Sequence, residues 1–382
     1  MTDTLSTSKT DIPISPIILS PQQGGKLLAK GSFGCVYSPA LTCNLTEIRN
    51  RGIVSKLQIA DEAAEREIQI SERIRTIPNF ATMFSPVLET CPVSPSRLQT
   101  QFYDSCPVLK MTPAGKSVLL TRMKFIPGGL LFYHMYDKLR TPDCISALYS
   151  TFRPLIQSLV SLRDVRVVHY DLADHNIMLN KDTRMPMIID FGLSIDMQRV
   201  EEGATDINEL RRWFYGYIPE VSFRSPEIHL LCHALFVEPI VTRNTVVQVA
   251  QELSKSHAEL KLMKDSFREM YKELTIKHLM RYVGMKPAEI FSSIKQNEGT
   301  WDQFAVCNLY IGYLMGVIQR ITSDKTFMRQ VMERNSSIDV YQFLKEFTEL
   351  LVLNIHPNPA RRLTLEETLS EFDGIIYNAA KD

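Results

Sequence analysis

The sequence of 382 residues has no excess of either charge and no apolar run of membrane-spanning length. Lys plus Arg and Asp plus Glu number 43 each, so we expect no binding to nucleic acid or to anionic membranes through net charge. The longest apolar run, 307–318, is shorter than the roughly 20 residues of a membrane span and predicts a buried core helix. The N-terminus lacks the apolar core of a secretory signal, which favours an intracellular, cytoplasmic protein.

Closely spaced cysteine pairs are also absent. The seven cysteines are odd in number and scattered, which predicts reduced thiols in an intracellular protein. A zinc site built from Cys43, Cys91 and Cys106 is the alternative, although structural zinc sites usually contain close ligand pairs. Apolar residues make up 45% and charged residues 23%, which is typical of a globular protein and excludes collagen and long low-complexity disorder.

The pattern of apolar residues changes along the chain. Residues 1–22 are rich in Ser, Thr and Pro with little periodicity, which predicts a flexible tail. Over 25–123, short apolar runs around glycine turns predict strands, and the acidic run 60–77 predicts one helix. Residues 89–116 contain four prolines and predict a long loop. Helical spacing dominates after Gly129, so we expect an α+β fold of two lobes with a cleft between them.

The strand-rich part contains the residue types that a phosphate-binding site needs. The run Ala29–Val36 has two glycines, which let backbone N–H groups approach phosphate oxygens, although such a pair alone is typical of an ordinary turn. Lys56 lies in an apolar strand and is the candidate cation. A buried cation needs an anionic partner, which Glu67 on the next helix can supply, with Glu65 and Glu72 as alternatives.

The strongest pattern lies in the runs 169–179 and 188–192. Asp171 and Asn176 are five residues apart in a predicted loop, and Asp190 follows after a predicted hairpin. One carboxylate of such a set can face an acceptor hydroxyl, while the other and the amide oxygen can bind Mg²⁺, which prefers hard oxygen ligands. Turn-forming Asp and Asn explain either run alone but explain both together poorly.

In their order and spacing these motifs resemble those of eukaryotic-type protein kinases, over residues 27–372. The matching motifs are the glycine-rich loop (29–36), the strand lysine (Lys56), the helix glutamate (Glu67), the gatekeeper and hinge (123–129), the catalytic loop (169–176), the DFG motif (190–192) and the APE motif (225–227). Asp302 resembles the start of the family's large buried helix, and Arg362 resembles the late arginine that pairs with the APE glutamate.

The resemblance implies roles for individual residues. The catalytic residues would be Asp171, Lys56, Glu67 and Asn176, and the metal ligands Asn176 and Asp190. The ATP-binding residues would be Ala29, Gly31, Ser32, Phe33, Gly34, Val36, Lys56, Met123, Lys124 and Ile126. The structural residues would be Phe191, Gly192, Glu227, Asp302 and Arg362.

The resemblance also implies an architecture and an activity. A small β-rich N-lobe with one main helix would span 23–126, and a larger helical C-lobe would span 127–374, with a helical insertion at about 232–298 and a C-terminal tail at 375–382. The activity would be transfer of the ATP γ-phosphate, with Mg²⁺, to hydroxyls of a protein substrate, mainly Ser and Thr. The alternatives are a pseudokinase scaffold and a small-molecule kinase. The run 34–43 also resembles kinases of large double-stranded DNA viruses, which would place the protein in host cytoplasm or virion.

Four features depart from the family pattern. Ala29 replaces the first glycine of the loop, Tyr170 replaces the arginine before the catalytic Asp, and Ala173 replaces a lysine that Ser/Thr kinases usually carry. In addition, 75 residues separate Glu227 from Asp302, several times the usual gap.

The extra residues predict a long helix. Apolar residues recur at steps of three and four over 246–274, with Asn244 or Thr245 as the cap and Gly284 just past the end. Such a helix would have about 30 residues and a length of about 45 Å. It would either pack across its own C-lobe or form a coiled coil or docking surface for a partner over 240–290.

Overall fold

A computed structural model describes residues 25–31, 34–45, 48, 52–94, 104–110 and 117–381. Within them the chain is α+β, with a β-sheet in the N-terminal region and a helical C-terminal region. The predicted tail 1–22 lies outside the described residues.

The strands form three groups. They are β1 (Lys26–Lys30), β2 (Gly34–Ser38), β3 (Ile53–Ile59), β4 (Phe84–Ser85), β5 (Val87–Val93), β6 (Val118–Lys124), β7 (Gly128–Leu130), β8 (Val167–Val168), β9 (Ile177–Asn180), β10 (Pro186–Ile189) and β11 (Ile195–Asp196). An antiparallel sheet has the order β1-β2-β3-β6-β5, a second sheet has the order β4-β10-β9-β7, and β11 pairs with β8. In the second sheet β10 is parallel to β4, and β9 and β10 form the predicted hairpin.

Helices make up most of the rest of the described chain. They are α1 (Glu62–Ile74), α2 (Pro107–Lys110), α3 (Leu131–Lys138), α4 (Cys144–Asp164), α5 (Met197–Gly203), α6 (Ile207–Trp213), α7 (Pro226–Phe236), α8 (Arg243–Ser256), α9 (Asp265–Leu279), α10 (Pro287–Ile294), α11 (Gly299–Ser323), α12 (Lys325–Arg334), α13 (Val340–Asn354) and α14 (Leu365–Ala379). Short 3₁₀ turns lie at Phe80–Thr82, Asp174–Asn176, Leu260–Leu262, Met280–Tyr282, Lys295–Asn297 and Pro359–Arg361.

Helix α1 is the predicted helix of the N-terminal region. The Asp61 side chain accepts a hydrogen bond from the Ala64 N–H at 3.0 Å, which satisfies one of the free donors at the helix start. Ile70 and Ile74 are fully buried on the opposite side from the exposed Glu65. The helix therefore has one face fixed in the core.

Strand β5 corrects the prediction of a loop over 89–116. β5 is the edge strand of the first sheet, and its Pro92 stands opposite Leu119 of β6. Proline has no N–H to donate to a neighbouring strand, which an edge strand tolerates. The loop prediction is therefore wrong at 89–93, and it is also wrong at 107–110, which form α2. Residues 95–103 and 111–116 of that range lie outside the described part of the chain.

Two disulfides contradict the prediction of reduced thiols. Cys35 on β2 is bonded to Cys106, and Cys43 is bonded to Cys91 on β5. The partners are 71 and 48 residues apart in sequence, and the sheet brings them together, so no local spacing reveals them. The same pairing uses the three thiols of the alternative zinc site. In the described part of the chain no cluster of three or more metal-ligating side chains occurs.

The core of the C-terminal region surrounds α11, the helix predicted from the apolar run 307–318. The Phe152 ring of α4 lies 5.0 Å from those of Tyr310 and Phe347 and 4.9 Å from that of Phe372. Among the described helices α11 alone is long and apolar enough to cross a membrane. However, 61% of its most apolar 18-residue stretch is buried inside the fold, as in a core helix.

The range 246–274 of the insertion belongs to two helices, α8 and α9, so the prediction of one helix of about 45 Å is wrong. The chain becomes extended at His257, which ends α8 although the apolar spacing continues beyond it. The cap is Thr242, whose hydroxyl accepts from the Thr245 N–H at 3.1 Å, and not Asn244 or Thr245. His257 is buried like the apolar residues around it. The local sequence therefore does not indicate that the helix ends there.

The insertion packs on the rest of the C-terminal region. Val246, Val249 and Leu253 of α8 are buried in one cluster with Ile228 and Leu231 of α7. For the buried face, this packing favours the prediction that the insertion packs across its own C-lobe. Docking of a partner on the outer face of 240–290 stays a prediction.

Helix α14 extends past the predicted boundary at residue 374. Thr364 and Glu367 form a capping box at its start, with distances of 3.1 and 2.8 Å. The helix continues to Ala379, and both Ala379 and Ile375 are buried. Most of the range 375–382 is thus helix and not a tail, because its apolar residues belong to the core.

Candidate active site

A buried ammonium group joins β3, α1 and the end of β10. Nζ of Lys56 lies 3.1 Å from both carboxylate oxygens of Glu67 and 3.3 Å from Oδ1 of Asp190. Gln58, two residues along the same face of β3, donates to Glu67 Oε2 at 3.1 Å. Burial disfavours the charged amine, but the two carboxylates outweigh it and raise the pKa of Lys56 above its ordinary value. The lysine is therefore held as a cation.

Helix periodicity explains why Glu67 is the partner. Glu67 lies three residues before Ile70 and seven before Ile74, so all three share the face of α1 that points into the fold. Glu65 and Glu72, the alternatives that the sequence left open, are exposed on other faces. The structure thus brings only Glu67 of these three glutamates to Lys56.

The loop that follows β8 is held by Asp302, which lies in the first turn of α11. Its carboxylate accepts the backbone N–H groups of His169 at 2.6 Å and Tyr170 at 2.9 Å. Tyr170 has φ of 67°, a left-handed conformation that costs energy for a residue other than glycine, and these two bonds hold it there. Burial raises the pKa of Asp302 to about 6, and the two hydrogen bonds oppose that rise.

His169 supports the same loop as a neutral imidazole. Its side chain is fully buried, and burial lowers its pKa to about 4. At neutral pH the ring therefore donates its Nε2 proton to the Ile189 carbonyl oxygen, 3.0 Å away. This bond ties the loop to the strand that leads into Asp190.

Asp171 and Asn176 are hydrogen-bonded to each other. Nδ2 of Asn176 donates to both the backbone oxygen and Oδ2 of Asp171, at 2.8 Å each. Burial raises the pKa of Asp171 above its usual range, and the charge of Asp190 adds to that effect. Because Asn176 uses its N–H groups in this way, its amide oxygen is the atom that is left to bind a ligand. The pair is held by the 3₁₀ turn Asp174–Asn176.

Asp190 presents a partly exposed carboxylate. Its φ is 61°, and its side chain is 40% exposed, so solvent and ligands can reach it. Partial burial opposes ionisation, but the neighbouring ammonium outweighs it and holds the pKa of Asp190 below its usual range. Phe191, only 1% exposed, packs its ring 5.0 Å from that of His169 and 6.2 Å from that of Phe84. The backbone after Asp190 is anchored by these ring contacts.

The glycine-containing hairpin adjoins this cluster in the sheet, with Val36 of β2 opposite Lys56 of β3. The Gly31 N–H donates to the Gly34 carbonyl at 2.8 Å, which closes the turn between β1 and β2. A side chain at Gly34 would place its Cβ 2.5 Å from the Leu57 carbonyl, so only glycine fits there. Ser32 and Phe33, predicted at the tip, lie outside the described residues. The Gly192 N–H contacts Oδ1 of Asp190 at 3.4 Å.

The other predicted nucleotide-binding residues lie on the strands around the cluster. Ala29 of β1 pairs with Val36 of β2. Met123 and Lys124 end β6, and Ile126, 3% exposed, follows in the connection to β7. In the described part of the chain the backbone N–H of Ile126 has no hydrogen-bond acceptor. It is therefore a donor that a ligand beside the end of β6 could use.

Glu227 and Arg362 form a fully buried ion pair away from this cluster. The guanidinium donates to both carboxylate oxygens at 2.7 and 2.9 Å, and both side chains have no exposed surface. Arg362 also donates to the His356 carbonyl at 2.8 Å and to the Thr300 hydroxyl at 3.1 Å. The pair thus joins the start of α7 to α11 and to the turn before α14.

Sequence reasoning missed two residues of the site. Gln58 could have been found, because it lies two positions from Lys56 and so on the same face of a strand. Arg66, next to Glu67, is buried against Trp213 and Tyr215. Tyr215 is 149 residues further along the chain, so no local pattern pointed to this contact.

Comparison with known proteins gives partial similarity to kinases. No protein-family model matches the chain. The chain is 29% identical to the EKC/KEOPS complex subunit bud32 of Dictyostelium discoideum over 97 residues, which are 25% of this chain and 38% of that protein. It is 30% identical to the probable serine/threonine-protein kinase fnkB of Dictyostelium discoideum over 108 residues, which are 28% of this chain and 18% of that protein.

A third relative covers more of the chain at lower identity. The serine/threonine-protein kinase PLK4 of Drosophila virilis is 24% identical over 181 residues, which are 46% of this chain and 19% of that protein. The chain thus spans about two fifths or less of the length of each of these three relatives. Two of the three are named as serine/threonine-protein kinases, so part of the chain is similar to protein kinases of that type.

Proposed function

We propose that the chain is a bilobed, ATP- and Mg²⁺-dependent protein kinase that phosphorylates serine or threonine hydroxyls of a protein substrate. The observation that carries the proposal is the Lys56 ammonium held between Glu67 and Asp190, beside the Asp171–Asn176 pair. Phosphoryl transfer depends on positioning and on neutralising charge, and this set offers a cation, two carboxylates and an amide oxygen for that purpose. The partial similarity to named serine/threonine kinases supports the same reaction.

The donor set fits a magnesium nucleotide. Asp190 is ionised and partly exposed, and the amide oxygen of Asn176 is left without a hydrogen bond in the described part of the chain. These are the hard oxygen ligands that Mg²⁺ prefers, and the bound ion would neutralise charge on phosphate oxygens. Lys56, whose position Glu67 fixes, would bind phosphate oxygens with the donor that now contacts Asp190.

Asp171 would orient the acceptor hydroxyl and accept its proton. The Asn176 amide holds its carboxylate in one orientation, which leaves Oδ1 available to the acceptor. Burial raises the pKa of this carboxyl, which brings its basicity closer to that of a useful general base. Asp302 maintains the loop through the backbone of the two preceding residues.

The adenine base would lie between the hairpin and β6. The Ile126 N–H, free of an acceptor in the described residues, and the Lys124 carbonyl would bind its edge, with Met123 at the back of the pocket. Gly31 and Gly34 would let the backbone approach the phosphates.

The assay that tests the proposal measures label transfer from γ-phosphate-labelled ATP to three acceptor pools. These are a protein mixture treated to remove phosphate, a mixture of small alcohols including sugars, and buffer alone. We expect label on phosphoserine and phosphothreonine of the first pool. Transfer only to the second would identify a small-molecule kinase, and ATP binding without transfer to any pool would identify a pseudokinase scaffold.

A further inference from the structure

One face of α1 carries a polar stripe that is turned towards the segment after Asp190. Its members are Glu62, Arg66, Gln69 and Arg73, at steps of four, three and four, so they lie above one another on the helix. Each of them contacts a residue between 196 and 215.

The centre of the stripe is a buried cation–π contact. The guanidinium of Arg66 lies 4.7 Å from the centre of the Trp213 ring and 5.9 Å from that of Tyr215. It also donates to the Tyr215 hydroxyl at 3.3 Å. Arg66 and Trp213 are only 7% and 8% exposed, and a cation–π contact is stronger when both partners are removed from water.

Ion pairs hold both ends of the same helix face. Glu62 accepts from Arg212 at 3.2 Å in the first turn of α1. Arg73 donates to Asp196 at 3.0 Å and to Gln198 at 2.6 Å in the last turn. These contacts are more exposed than that of Arg66, so the central contact contributes most among the polar contacts of this face.

The inner face of α1 carries Glu67, the residue next to Arg66. Because a helix is rigid over a single turn, a contact that fixes Arg66 also fixes the neighbouring Glu67. The Glu67 carboxylate in turn holds the Lys56 ammonium, with 3.1 Å between Oε1 and Nζ. A continuous series of contacts thus connects Trp213, far along the chain, with the ammonium of Lys56.

No phosphate is needed for these contacts. Tyr170 replaces the arginine that, in kinases that have it, binds a phosphate on the segment after the DFG motif. It is a buried neutral phenol, and the Arg224 guanidinium lies 4.4 Å from the centre of its ring. Ser194 is fully buried. Arg211 and Arg212, two cations of the same segment, already donate to the Leu235 carbonyl and to Glu62 and Glu209.

Taking the proposed kinase function as its premise, we propose that Arg66 is a positioning residue. Its contact with Trp213 and Tyr215 holds α1, and through Glu67 the Lys56 ammonium, in the active arrangement without phosphorylation of the segment 194–222. The contact takes the place of the phosphate–arginine pair that couples loop order to activity in kinases that have that arginine.

The test compares Arg66→Leu with a matched control, Arg320→Leu. Arg320 lies 4.0 Å from the centre of the Phe327 ring, so its substitution removes a similar cation–π contact far from α1. On fully dephosphorylated protein, we expect Arg66→Leu to lower kcat roughly 10- to 30-fold, as expected for a desolvated contact of this type. Tyr215→Phe keeps the ring and should lose only about threefold. Arg320→Leu should stay within twofold of the unsubstituted protein.

A double-substitution cycle separates positioning from a general loss of stability. In a Glu67→Gln background, Arg66→Leu should lower kcat less than twofold, because the residue through which it acts is already lost. An equal loss in both backgrounds, or a loss equal to that of Arg320→Leu, would overturn the proposal. Thr205 is an exposed residue of the turn between α5 and α6. A tenfold or greater fall in kcat of the unsubstituted protein on dephosphorylation, restored by phosphorylation at Thr205, would also overturn the proposal.

Hydrogen exchange tests the contact independently of catalysis. Amides of α1 should exchange at least tenfold faster in Arg66→Leu than in Arg320→Leu. If they do while the unsubstituted protein transfers no phosphate to any acceptor, the contact stands and the proposed kinase function fails. Unchanged exchange would show that the contact does not hold α1.

Discussion

Two ion pairs of this chain have the same geometry and opposite exposure, which allows a direct test of the role of Glu227 and Arg362. In that buried pair the two N–O distances are 2.7 and 2.9 Å and neither side chain is exposed. Arg153 and Asp373 are joined at 2.7 and 2.9 Å with side chains 50% and 48% exposed. The perturbation is Arg362→Leu, with Arg153→Leu as its matched control.

The expected magnitudes depend on burial. Arg362→Leu leaves Glu227 as an unpaired buried carboxylate and also removes the donors to His356 and Thr300. Breaking a buried pair in this way costs about 3–5 kcal/mol. Arg153→Leu leaves Asp373 in water, where a surface pair contributes about 0–1 kcal/mol.

Urea denaturation followed by far-UV circular dichroism measures both effects. At an m value of about 3 kcal/mol/M, the Arg362→Leu midpoint should fall by about 1 M or more, and the Arg153→Leu midpoint by about 0.3 M or less. The double substitution of Arg362→Met with Glu227→Leu should recover most of the loss, because no charge is left buried. Equal shifts for the two single substitutions would refute the reasoning that burial sets the value of these pairs.

Three further outcomes are expected. Asp190→Asn should shift the magnesium activation curve of phosphoryl transfer to higher concentration by tenfold or more, and an unchanged curve would remove Asp190 from the metal site. Deleting 240–290 with a short Gly/Ser linker should give insoluble or unfolded protein, because the inner faces of α8 and α9 are core; a soluble deletion protein that phosphorylates a generic peptide but loses a partner would favour a docking role. Burial lowers the pKa of His169, His257 and His278 to about 4, so the unfolded chain takes up more protons below pH 6.5 than the fold does. The free energy of unfolding should therefore fall between pH 6.5 and 4, and equal urea midpoints at pH 7 and pH 5 would contradict this.

The parts that the sequence predicted well are those determined by local patterns. Asp171 and Asn176 are five residues apart and meet in one loop, as expected, and the hairpin after them brings Asp190 to the Lys56 ammonium. The core helix around 307–318 also depends on short-range spacing alone. Such features are readable because the residues that form them are neighbours in the chain.

The parts that it missed depend on contacts between distant residues or on a break in a regular pattern. Cys35 meets Cys106 across 71 residues, and Arg66 meets Tyr215 across 149, so neither pairing leaves a local trace. The apolar spacing of the insertion continues past His257, where the backbone becomes extended and α8 ends. Periodicity predicts which face is buried, but it does not tell where one helix stops and the next begins.

The central claim is that Asp171 acts on the acceptor hydroxyl in phosphoryl transfer. The most direct measurement is kcat for transfer to the protein acceptor pool by Asp171→Asn, together with its Kd for ATP. Asp182→Asn, which removes a carboxylate in the exposed turn between β9 and β10, is the control. We predict a fall in kcat of about 100-fold or more, equivalent to about 2.7 kcal/mol of barrier, with Kd within about threefold of the unsubstituted protein. An Asp171→Asn protein that keeps more than a tenth of the original kcat would contradict the account.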